Sequence, residues 1–185
     1  MAQTLNFNGT EMTSVTFNGT EMDRLYFNGT LVFDNTPVGG DPIMRPNSDI
    51  NLPFGWSGSY TDIDEATVDN SDYLAVTIRN TSTPARFGLT DGVDPGVNTG
   101  HVFRFTAQLI SGSFGLVSPT IWQGGTQIWQ GSFTAMTATE TEYSFTLDGG
   151  SAGSITDYTD LSLGFFTNGV MFEVRIYQAE FEVPE

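Results

Sequence analysis

Between residues 5 and 33 apolar and polar positions recur with a period of ten: Leu5-Asn6-Phe7-Asn8-Gly9-Thr10, Val15-Thr16-Phe17-Asn18-Gly19-Thr20 and Leu25-Tyr26-Phe27-Asn28-Gly29-Thr30. In each copy an apolar residue and a Phe stand two positions apart, which puts them on one face of a strand. Asn-Gly follows at once, a pair that accepts the positive φ values of a two-residue type I′ turn. Thr restarts the chain, and Met12, Met22 and Val32 take the same slot after each turn. The pattern predicts a short β-hairpin written three times. So short a unit has no private core, and must stack on copies of itself, on another chain or on the domain that follows. Segment 1–33 therefore reads as a docking and oligomerisation element, with Phe7, Phe17, Phe27, Met12, Met22 and Val32 as its partner-docking residues.

Beyond it the pattern changes but the period stays that of strands. Residues 34–50 are rich in Gly, Pro, Asn and Asp, with Thr36-Pro37, Asp41-Pro42 and Arg45-Pro46, and predict a linker. From 51 to 185 the candidates are Tyr73–Arg79, Phe103–Leu109, Gly115–Trp122, Glu142–Leu147 and Leu161–Phe166. Phe172–Ile176 alternates apolar and polar, slips by one, and resumes at Tyr177, Ala179, Phe181 and Val183, which predicts a bulge near Gln178. No window sustains the i, i+3, i+4 apolar spacing of a helix. The expectation is an all-β chain, with hairpin repeats followed by a jelly-roll β-sandwich over 51–185.

Charge narrows the partners. There are 22 acidic and six basic residues, giving a formal charge of -16. All the basic residues are Arg (Arg24, Arg45, Arg79, Arg86, Arg104, Arg175) and none cluster. That argues against nucleic acid, whose binding rests on Lys and Arg neutralising phosphates, and against an anionic membrane surface. The opening Met1–Asn6 shows neither the basic stretch nor the apolar run of a secretory signal. With no Cys there are neither disulfides nor thiolate metal sites.

Candidate chemistry is sparse. The one imidazole, His101, heads an alternating strand with no Gly-x-Ser-x-Gly elbow to serve, and reads as structural. Acidic loops at Asp62-Ile63-Asp64-Glu65, Asp69–Asp72, Asp91–Asp94 and Asp157–Asp160 read first as turn chemistry. The expectation is no cofactor, with Asp62, Asp64, Asp157 and Asp160 as candidate oxygen ligands should a structural calcium ion be bound. Trp56, Trp122 and Trp129 are each either core filler or a platform for stacking a sugar ring. The chain reads as a non-enzyme.

The triple Phe-Asn-Gly-Thr opening resembles that of small virion proteins of tailed bacteriophages. Separated motifs in the large domain are similar to a β-sandwich of phage structural proteins. They include Ile63-Asp64-Glu65, Asn70-Ser71-Asp72-Tyr73, Leu89-Thr90-Asp91 and Thr99–Arg104, then Trp122–Gln127, Ile155–Leu161 and Ala179–Pro184. The resemblance departs at Gly164 and Phe165, where the family carries an arginine-rich strand ending. It implies a virion protein assembled in the host cytoplasm, either a capsid decoration protein or a short head fibre. Its partners would be the major capsid protein or other virion proteins, and a homo-oligomer, a trimer among the options. The alternative is a tail-associated adhesin that binds host surface glycans through the sandwich.

Overall fold

The computed structural model describes residues 42–169 and 171–184, the side chain of Asn80 excepted, and the backbone of the strands between Leu5 and Asp34. The chain divides into two compact units, Met1–Gly39 and Gly40–Glu185.

In the first unit β1 (Leu5–Phe7) pairs antiparallel with β2 (Thr10–Met12), and β3 (Val15–Phe17) with β4 (Thr20–Met22). A third pair joins β5 (Arg24–Phe27) to β6 (Thr30–Asp34). The period of ten is thus three hairpins. The Asn-Gly turns, and the side chains of Phe7, Phe17, Phe27, Met12, Met22 and Val32, lie outside the described residues. Register corrects one expectation. Leu5 pairs with Met12 and Val15 with Met22, but Leu25 pairs with Phe33. The third ladder shifts between Leu25 and Tyr26, so Val32 does not occupy the slot of the two methionines.

The second unit opens with β7 (Ile43–Met44), β8 (Pro46–Asn51), β9 (Trp56–Ser57), β10 (Leu74–Val76) and β11 (Asn80–Leu89). It continues with β12 (Val102–Ser111), β13 (Gly115–Gln123), β14 (Thr126–Gln130) and β15 (Thr134–Ala135). It closes with β16 (Thr141–Thr146), β17 (Leu161–Gly169) and β18 (Glu173–Glu182). Two antiparallel sheets form a sandwich of jelly-roll type. The front sheet runs β14-β13-β17-β11-β8, with β15 also on β13. The back sheet runs β16-β12-β18-β10-β9, with β7 also on β18.

The linker expected over 34–50 is therefore wrong in its second half. Met44 is fully buried, and β7 and β8 carry the chain from the back sheet to the front one. Pro46 opens β8 rather than breaking the chain. Its missing N–H costs little at the first residue of an edge strand.

The sheets meet over an aromatic centre. Phe165 of β17 meets Phe103 and Phe105 of β12 edge to face, with centroids 5.6 and 5.4 Å away. The bulge sits where the alternation slips: Thr106 pairs with Gln178 and Ala107 with Ile176, leaving Tyr177 between them. That extra residue restores inward orientation to Ala179 and Phe181, both fully buried.

Candidate functional site

Directly opposed residues of antiparallel strands share a face, so pairing writes two rows across the outside of the front sheet. One row is Gln127, Trp122, Ser162, Gly88 and Ser48, and the next is Gln130, Thr120, Gly164, Arg86 and Asn51. Trp122 is the one large aromatic in a field of amides, hydroxyls and glycines.

Thr120 and Ser162 face outward yet are buried, because Trp122 and Arg86 lie over them. The Trp122 Nε1–H donates to Thr120 Oγ1 at 2.9 Å, folding the indole onto the sheet. The Arg86 guanidinium stands 4.4 Å from the indole centroid. Its Nη2 donates to Ser162 Oγ at 2.8 Å and to the Gly124 carbonyl at 2.6 Å. To get there from β11, Arg86 must cross β17, and Gly164 lets it. A Cβ at Gly164 would stand 3.1 Å from Arg86 Cγ and 2.7 Å from the Ala85 carbonyl oxygen. Gly124 supplies the positive φ, +54°, of the turn that presents its carbonyl.

Amides frame this centre. Gln130 donates to Ser118 Oγ at 3.0 Å, and Gln127 to Gln130 Oε1 at 3.2 Å. Gln123 accepts from the Thr156 and Asp157 backbone N–H groups, tying that loop to the sheet's end. Burial pushes the Arg86 pKa down, opposed by the charge of Asp160. Arg86 Nε is buried without a hydrogen-bond partner among the described residues. The arrangement joins an aromatic surface, a cation and side-chain amides on a hydrogen-bonded floor. Such a set matches a ligand with several hydroxyls and one apolar face.

The other two tryptophans face inward and not onto this surface, Trp56 within the core and Trp129 half-buried against its edge, which corrects their candidacy as stacking platforms beside Trp122. Trp56 is 8% exposed and stacks on Phe165 at 6.4 Å. Trp129 turns inward against Phe103 and Phe145. The seven-residue spacing hid this, because the β14 ladder shifts register between the partners of Ile121 and Trp122.

The four calcium candidates are separated by role. Asp62 accepts from the Ser59 N–H at 2.8 Å, closing a short 3₁₀ turn. Asp157 accepts from the N–H and hydroxyl of Thr159, which holds its pKa down. Asp160 acts on Arg86. Asp64 lines a cleft of about 420 Å³ with Arg45, Tyr60, Thr90 and Asp91, where the chain passes between sheets. Among the described residues no three of His, Asp and Glu come together as a metal cage.

The outer face of the back sheet is a different surface, built of opposite charges. Arg104 pairs with Glu180 and Glu182, and Arg45 lies 3.6 Å from Glu180. Burial raises the Glu180 pKa against the pull of both arginines.

His101 is fully buried, with Nε2 2.7 Å from Tyr158 Oη and its ring between those of Tyr158 and Phe181. Nδ1 is buried without a hydrogen-bond partner among the described residues, so the Nε2–Tyr158 contact is the ring's one polar anchor. Burial lowers the His101 pKa, opposed by Asp94, and pushes the Tyr158 hydroxyl up to about 12. A folded-state pKa below the unfolded value means the unfolded chain takes up the proton first. Stability is therefore full above about pH 6.5 and falls as pH drops from there through the folded pKa. Denaturant unfolding of wild type and His101→Gln at pH 7.5 and 5.5 should show a larger acid loss in wild type. Equal losses would mean that His101 titrates normally.

No known protein family matches the chain, and no curated protein matches it. Among solved structures it is similar to the CBM22-1 xylan-binding domain from Paenibacillus barcinonensis Xyn10C. Identity there is 14%, over 78% of this chain and 94% of that one, with a TM-score of 0.46. It is also similar to the family 30 carbohydrate-binding module of the cellulosomal cellulase Cel9D-Cel44B of Clostridium thermocellum. That likeness has 11% identity over 77% of this chain and 92% of that one, with a TM-score of 0.41. At these values the likeness is one of outline only.

Proposed function

We propose that this chain is a non-catalytic virion protein of a tailed phage whose sandwich holds a host-surface glycan on the outside of the front sheet. The Arg86–Trp122 pair on its polar floor carries the glycan reading. A sugar ring has an apolar face suited to an indole, and vicinal hydroxyls suited to amide and guanidinium groups. The acidic loops serve turns or the neighbouring Arg86, which supports binding without hydrolysis. The three hairpins support the attachment role, because each is too short to stand alone and together they make a separate unit. Their partners would be other virion proteins.

A glycan array of host surface polysaccharides followed by titration calorimetry tests the binding. Wild type should bind at least one polysaccharide, and Trp122→Ala should weaken it about tenfold, the worth of one lost aromatic contact. Deletion of residues 1–39 should keep that affinity and abolish attachment to particles lacking the native protein. Absence of any bound glycan, or equal affinity in Trp122→Ala, would overturn the reading of the sandwich. Attachment without the hairpins would overturn that of the repeats.

A further inference from the structure

We infer, on the glycan reading above, that the sugar taken by the front sheet is acidic and that Arg86 binds its carboxylate beside Trp122. Of the half-buried arginines in the second unit, Arg45, Arg104 and Arg175 each lie against a glutamate. Arg86 does not. Its Nη2 spends its hydrogen bonds on two neutral oxygens, the Gly124 carbonyl and Ser162 Oγ. Among the described residues it makes no ion pair, and Asp160 acts on it only from a distance.

The surroundings are cleared of competing anions. Both outward rows of the front sheet consist of Gln, Trp, Ser, Thr, Asn and Gly around this one cation, in a chain of 22 acidic residues. A guanidinium fixed on a neutral floor is prepared for an anion, because it is partly desolvated and no carboxylate of the chain takes up its charge. A hydrogen bond from it to a carboxylate is roughly twice as strong as one between neutral groups.

The free atoms set the kind of anion. Nη1 makes no hydrogen bond among the described residues and is not sealed off as Nε is. One nitrogen is left to meet a ligand, enough for a singly charged carboxylate and too little for a phosphate dianion, which gathers several donors. The guanidinium carbon stands 4.4 Å from the indole centroid, so one sugar residue spans both groups. Ring on indole and carboxylate on guanidinium is the chemistry of a uronate. The net charge of -16 opposes an anionic polymer at long range, but salt screens that field beyond about 8 Å while the close contact keeps its strength.

Titration calorimetry of the full-length protein with hyaluronan, alginate and polygalacturonate, each beside the same polymer with its carboxyls reduced to primary alcohols, tests this. Wild type should bind at least one acid form, and reducing its carboxyls should weaken binding about tenfold or more, the worth of one charge-assisted hydrogen bond. Arg86→Gln should bind the acid and reduced forms alike. The wild-type pair of titrations needs no substitution, so it decides even where Arg86→Gln fails to fold. No acid form bound, equal affinity of wild type for both forms, dextran sulfate bound as tightly as the uronate polymer, or an acid preference that survives in Arg86→Gln would overturn the proposal. A neutral glycan bound through Trp122 would then leave the wider glycan reading standing, whereas binding to no saccharide, here or on the array, would overturn both.

Discussion

Phe165→Ala is expected to destabilise the sandwich by about 4 kcal/mol, the cost of emptying a core position of an aromatic ring. Phe165 is fully buried and reaches from the front sheet onto the aromatic rings of the back sheet: Phe103 and Phe105 of β12 edge to face, and Trp56 of β9 in a stack. Its neighbours in the ladder, Ala85 and Pro119, cannot swing in to refill the space. In a unit of this size each kcal/mol moves the midpoint about 2–4 °C, so melting should fall by about 8–16 °C. Phe165→Leu keeps most of the volume and should cost about 1 kcal/mol. Urea unfolding of the three proteins would check this. A loss below about 1.5 kcal/mol for Phe165→Ala would place the centre of the core elsewhere.

Strand positions were legible because each pairs a period of two with turn residues at its ends. The alternation of Phe103–Leu109 puts Phe103, Phe105 and Ala107 inside β12, and the slip near Gln178 is the bulge at Tyr177. What misled was local chemistry read without its setting. Pro46 and the Asn and Asp around it look like linker, but an edge strand hydrogen-bonds on one side only and tolerates them. Val32 looks equivalent to Met12 and Met22 because a repeat was assumed to keep one register. The third hairpin does not.

The front face was less legible. Trp122 could be singled out as an aromatic beside amides, but its separation from Trp56 and Trp129 depends on which way each strand faces. The β14 ladder shift and the short β9 are invisible in composition. Arg86 was missed. Its signal is faint: a lone Arg between Ala85 and Phe87, both of which face the core, so that the cation must face out. Gly164 was noticed only as a departure from the phage pattern. Its use emerges when β11, β17 and β13 lie side by side, bringing Arg86 within reach of Trp122 from 36 positions away, a relation no local motif encodes.

That relation makes Gly164→Val the second large effect expected. A Cβ there would meet the Ala85 carbonyl oxygen at 2.7 Å, Thr120 Oγ1 at 2.9 Å and Arg86 Cγ at 3.1 Å. The carbonyl belongs to the paired backbone of β11 and cannot retreat without breaking the ladder, so stability should fall by about 3 kcal/mol. The Arg86 stem would also be lifted, pulling its guanidinium from Ser162 and from the Trp122 ring, so glycan affinity should fall as well. Gly125→Ala is the matched control: nothing lies within 4 Å of its Cβ, and the change should be nearly neutral. Repeating the substitution in an Arg86→Ala background separates the two causes. The backbone clash persists there, so most of the stability loss should remain, while the change in Trp122 fluorescence should shrink to the part carried through Thr120 Oγ1, the acceptor of the indole N–H. A fluorescence change of the same size in both backgrounds would mean that Gly164 acts on the sheet alone and does not hold the Arg86–Trp122 pair in place.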